Sequence, residues 1–148
     1  MTLPEKIAQD IKAAMLARDA DRLNTLRMLK SAIGYAQIER KTETSSDAEV
    51  IAIVQKEVKK RRDSITQFES GGRPELAAKE KLEITILEGF LPQALSPEEL
   101  EALVRAAIQE TGATSKKDMG KVIKAVQAQA AGRAEGKVIS ELVGKLLP

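Results

Sequence analysis

From Thr2 to Leu146 the apolar residues of this chain recur three and four positions apart, and nowhere do they alternate for long enough to make a strand. That period predicts helices almost end to end. Thr2 with Glu5 and Ser46 with Glu49 have the spacing of capping boxes, which start helices at fixed places. The first helix shows one face in Ile7, Ile11, Ala14 and Met15. A second, over about 21–41, shows Leu23, Leu26, Leu29, Ile33 and Ala36. A third, over about 47–69, carries Ile51, Val54, Val58, Ile65 and Phe68 at near-heptad spacing, with Arg61 inside that seam. "SGGRP" ends it, because Gly71 and Gly72 permit left-handed backbone and Pro74 suits a first helical turn. A fourth helix, over about 74–90, buries Leu76, Ile84, Ile86 or Leu87, and Phe90.

The strongest boundary is "FLPQALSPEEL". Pro92 stops one helix, and Ser96, Pro97 and Glu99 supply the cap, first position and third position of the next. Three helices follow, lined by Leu100, Leu103, Val104, Ala107 and Ile108, by Met119, Val122, Ile123 and Val126, and by Ile139, Leu142, Val143 and Leu146. Ser115 and Asp118 are placed as a capping box for the second of them. The expected fold is all-α: a four-helix N-terminal subdomain over 1–92 and a small three-helix C-terminal subdomain over 96–148. About fifty residues make a marginal domain, expected to lean on the first part or on a partner.

The residue types present exclude much chemistry. The chain has no Cys and no His, so disulfides, thiolate metal sites and the commonest general base are absent. No metal site and no cofactor are expected. Tyr35, Phe68 and Phe90 are the only aromatics, so the core is aliphatic. The opening residues carry charges every few positions, and no later stretch approaches the length of an uncharged membrane span, which leads to the expectation of a soluble, cytoplasmic protein with no membrane partner. Net charge is only +2. Its distribution is uneven: from Thr111 onward seven basic residues face three acidic ones, an excess of four.

Three constellations could carry function. Glu80 and Glu83, three apart on the fourth helix, project from one side, and Arg27 and Arg61 sit on or beside apolar stripes of other helices. Paired carboxylates can do acid–base work, but an interhelical ion-pair network is the expected role of these four, with no catalytic residue assigned. "KKRR", Lys59 to Arg62, spreads around a helix at about 100° per residue, so it reads as a solvated face with one arginine laid along apolar surface. The third is "MGKVIKAVQAQAAGRAEGK". Lys117, Lys121 and Lys124 have i, i+4, i+7 spacing beside the apolar stripe. Gly132 can end the helix, and free amides at the next helix start, with Arg133 and Lys137 close by, could receive a phosphate. Glu135 already complements that helix end. Plain turn and phosphate cradle both remain open on these residues.

The segments "LPEKI…AMLARD…RLNTLRMLKSAI", "KEVKKRRDSI…FESGGRPELAAKEKLEITILEGFLP" and "MGKVIKAV…AGRAEGKVISELVGKLL" together resemble the stand-alone YqeY-like proteins of the GatB/YqeY family across essentially the whole chain. The resemblance implies an all-helical fold with two different subdomains. It also implies kinship with the tail domain of the B subunit of the tRNA-dependent amidotransferase, which helps hold the tRNA. Gly120, Val122, Ile123, Lys124, Gly132, Arg133 and Ala134 match that tail's "GxVMK…GKANP" pattern, while Glu135 and Gly136 replace its Asn-Pro. The implied function is a non-catalytic helical adaptor that binds tRNA, or a tRNA-bound protein, through its C-terminal subdomain. Lys117, Lys121, Lys124, Arg133 and Lys137 are the implied nucleic-acid contacts. The alternatives are a protein-interaction module without nucleic acid, and the glutamine-dependent carbon–nitrogen ligase activity that the family label implies, whose catalytic motifs this chain lacks.

Overall fold

The computed structural model describes residues 1–148, and local signals explain where most of the helices begin. The Glu5 amide donates to the Thr2 hydroxyl while the Thr2 amide donates to the Glu5 carboxylate, starting α1 (Leu3–Ala17). Ser46 and Glu49 do the same for α3 (Asp47–Ser70). Between them α2 (Ala20–Arg40) is capped by Asp19, and α4 (Pro74–Glu88) follows the glycine pair. Arg18 and Lys41 close α1 and α2 in left-handed backbone, at φ 55° and 54°. There are no strands, and the fold is all-helical.

The chain divides into two compact units, Met1–Leu91 and Pro92–Pro148. In the first, α3 and α4 pack along their lengths, α1 packs on α2, and Leu26, Leu29, Val50, Val54, Val58 and Leu87 are almost wholly enclosed. Each such side chain contributes roughly 1.5–3 kcal/mol on burial. The buried Thr25 hydroxyl donates to the Asp21 carbonyl, so no polar cost remains there. Phe90 is buried just beyond the end of α4, with the Lys6 ammonium 5.1 Å from its ring centre. Three details depart from the expected faces. Val50 rather than Ile51 enters the core, Ala77 is buried while Leu76 is only half-buried, and Met15 is 52% exposed on a flank of α1 that its packing on α2 and α3 leaves uncovered.

The second unit holds α5 (Pro97–Thr111), a 3-10 turn (Lys116–Asp118), α6 (Met119–Ala130) and α7 (Gly136–Leu146). Val104, Ala107, Val122, Val126, Ile139 and Val143 form its core, each at most 1% exposed. No helix of the chain is long and apolar enough to cross a membrane.

Candidate nucleic-acid interface

The lysines of the C-terminal unit are arranged by α6 and its two ends. Val122, Val126 and Ala130 turn inward, which leaves Lys121 and Lys124, three apart on the same helix, exposed. Lys117 lies before α6 begins, outside the helix that carries that stripe. The Lys117 amide donates to the Ser115 hydroxyl at 3.3 Å, and Asp118 accepts from the Thr114 amide at 3.1 Å. Ser115 and Asp118 therefore cap separate groups instead of forming a box. The chain makes a 3-10 turn before α6 begins, and Lys117 sits, exposed, on that turn.

At the other end the helix closes on Ala131 rather than Gly132, with Ala131 at φ 47° and Gly132 at φ 88°. The intervening arginine is committed elsewhere. Arg133 Nε donates to the Gln93 carbonyl at 2.9 Å, its Nη2 lies 3.5 Å from Glu99, and its own carbonyl accepts from the Leu95 amide at 2.8 Å. Arg133 thus fastens the segment before α5 to the α6–α7 turn, and its guanidinium is shared with Glu99. This pairing lines an open depression of about 410 Å³ with Leu95, Ala102, Leu103 and Gln129, where the two charges offset each other. Glu135 is the N-cap residue of α7 without capping it through its side chain, and Lys137 stands exposed in the first turn.

A division of labour separates the two basic residue types in this unit. Arg105 pairs with Glu101 and Arg133 with Glu99, while Lys116, Lys117, Lys121, Lys124, Lys137 and Lys145 make no ion pair. The uncompensated positive charge is carried by lysines alone.

The carboxylate–arginine constellation lies in the N-terminal unit, with Arg61, Glu57 and Glu83 buried and Glu80 half-buried. Arg61 Nε is 3.0 Å from Glu83 and 3.9 Å from Glu80, and Nη1 donates to the Glu57 carbonyl at 3.1 Å with the Glu57 carboxylate 3.7 Å away. Its Nη2 faces the Met28 sulfur at 3.8 Å. Burial raises the Glu80 pKa above its ordinary value, the neighbouring Glu83 charge raises it further, and Arg61 opposes both. Arg27 is not a member: it is exposed on α2 and makes no ion pair. Glu57 takes its place. The i, i+4 spacing of Glu57 and Arg61 was a signal for it, obscured by the run of charges around it. "KKRR" is dispersed as helical rotation requires, with Lys60 on Glu57 and Arg62 on Glu88, but the Arg61 head is enclosed rather than laid out toward solvent. No group of three His, Cys, Asp or Glu side chains is placed to hold a metal ion.

A family model described as "Yqey-like protein" matches residues 4–147. The chain belongs to this YqeY-like family. Among its relatives is "Altered inheritance of mitochondria protein 41, mitochondrial" of Pyrenophora tritici-repentis, 29% identical over 148 residues that cover 94% of this chain and 80% of that one. The proteins of the same name from Eremothecium gossypii and Kluyveromyces lactis are 35% and 38% identical, covering 73% and 66% of this chain. This YqeY-like chain spans 60% and 54% of the length of those two relatives. The names correct one expectation. The expected cytoplasmic location does not stand beside relatives named as mitochondrial. Compartment is set by targeting, on which the composition of folded helices is silent.

Proposed function

We propose that this YqeY-like chain is a non-catalytic binding module whose C-terminal unit contacts the phosphate backbone of tRNA through Lys117, Lys121, Lys124 and Lys137. The observation that carries the reading is the exposure of Lys121 and Lys124 on α6 without any carboxylate partner. An exposed ammonium with no local counter-charge is available to a phosphate, and it gains from counterion release when it binds one. Arg133 serves the frame, by holding the α6–α7 turn in place. Tyr35 is the only exposed aromatic and lies in the other unit, so base stacking contributes little and the contact is to backbone and helical shape. The paired carboxylates Glu80 and Glu83 both lie within ion-pair distance of Arg61, which supports a structural role for them over acid–base chemistry.

The test is tRNA affinity measured at several salt concentrations. The expected plot of log affinity against log salt falls with a slope of roughly 0.7–0.9 per phosphate contacted. No affinity at low salt sinks the reading and leaves the protein-interaction module as the better account.

A further inference from the structure

A cleft of about 230 Å³ lies along the α1–α2 hairpin in the N-terminal unit. Ile7 and Ile33, both in the core, contribute to its lining, with Ala8, Ile11, Lys30 and Gly34 around them. Gly34 is the informative residue. It sits in the interior of α2, where glycine weakens a helix relative to alanine, yet a Cβ placed on it would meet nothing within 4 Å. No part of this chain requires the missing side chain. What the glycine does is lower the wall of an apolar cleft that faces outward, so that another backbone can approach closely. Ala8, exposed on α1, does the same from the opposite wall.

The charge around the cleft identifies the class of visitor. Lys30 lines it, Arg27 lies one turn earlier on α2, and Lys12 lies one turn beyond Ala8 on α1. All three are exposed and none makes an ion pair. Other cations of this unit do have a carboxylate beside them, as Arg22 has Asp10 and Lys81 has Glu69.

We infer that the α1–α2 cleft is the docking groove for an amphipathic helix of another protein, one whose apolar stripe is flanked by acidic residues. The groove takes one or two aliphatic side chains at helical spacing, Ala8 and Gly34 admit the backbone, and Lys12, Arg27 and Lys30 meet the acidic flanks.

The probe is a pair of designed helical peptides of about 18 residues, long enough to fold in water, with the same leucine stripe and either glutamates or lysines beside it. Binding to the full chain is read by fluorescence anisotropy and mapped by amide chemical-shift changes. The expected result is that the glutamate peptide binds, shifts Ala8, Ile11 and Gly34, and outcompetes the lysine peptide. Lys30→Glu weakens it on the order of tenfold. Gly34→Leu fills the groove and abolishes binding, while its circular dichroism and melting temperature stay at or above those of the parent, since leucine is the better helix former. The inference is overturned if the glutamate peptide fails to bind at about 1 mM, if both peptides bind alike, or if Gly34→Leu retains binding. Self-association of the chain alone that Gly34→Leu removes would assign the groove to a second copy and also overturn it.

Discussion

Arg61 Nε and Glu83 Oε2 lie 3.0 Å apart across the α3–α4 seam, with only 9% and 10% of their side chains exposed. A charge pair this enclosed stabilises only while both members are present, because either one alone keeps its desolvation cost without its partner. Arg61→Ala, which leaves the buried Glu83 carboxylate without its partner and Glu57 with Lys60 alone, is expected to cost about 3–5 kcal/mol. Urea unfolding checks this. The double variant Arg61→Met, Glu83→Leu should recover a large part of the loss, since a packed apolar pair often replaces a buried ion pair without penalty. A single variant as stable as the parent would remove the pair from the account of the fold.

Glu80 is the least satisfied carboxylate around that guanidinium. Its raised pKa means the folded state binds its proton more tightly than the unfolded chain, so stability contributed by the protonated form is present below the ordinary glutamate pKa of 4.5 and is lost as pH rises through the higher folded value. Glu80→Gln is therefore expected to melt at or above the parent at pH 7, with the difference shrinking as the pH falls toward 4. Melting curves at a series of pH values decide it. An advantage that grows on acidification reverses the sign and defeats the argument.

Lys121→Ala with Lys124→Ala is expected to flatten the salt dependence of tRNA affinity by about two phosphates' worth and to weaken different tRNAs about equally, because phosphate contacts carry no sequence information. The helix should persist, as both side chains are exposed and alanine is the better helix former. Circular dichroism is the folding control. An unchanged slope would move the contact off α6.

Arg133→Ala removes the hydrogen bond to the Gln93 carbonyl while leaving the Arg133 carbonyl available to Leu95. The side chain is 41% exposed, so the global cost should stay under about 1 kcal/mol. The local effect should be larger. Hydrogen exchange at the Leu95 amide is expected to accelerate severalfold, with tRNA affinity falling less than in the double lysine variant. Equal losses of affinity in the two variants would return Arg133 to the contact surface.

The helices were legible because their signals are local. Thr2 and Glu5, or Ser46 and Glu49, meet within one turn, and the structure forms both boxes reciprocally. Ser115 and Asp118 have the same spacing and form none, because a carboxylate that can reach the Thr114 amide behind it has a competing donor. Arg61 was visible as a charge in an apolar seam. Arg27 resembled it by position, but nothing in a sequence tells an arginine facing a carboxylate from one facing water. The fastening role of Arg133 is hidden for the same reason: its acceptor on Gln93 is 40 residues away, and no spacing rule connects them.

That distance has a kinetic meaning. Within the C-terminal unit α5 packs on α6 and α6 on α7, contacts between neighbours in sequence that form early and quickly, and α5 also packs on α7 across them. The Gln93–Arg133 fastening must close the loop around two helices, and loop closure is met before its bonds return anything. It is expected to form after the folding transition state, with a φ-value near zero. Strengthening or weakening it then leaves the folding rate almost untouched and acts on how long the folded unit lasts before it opens.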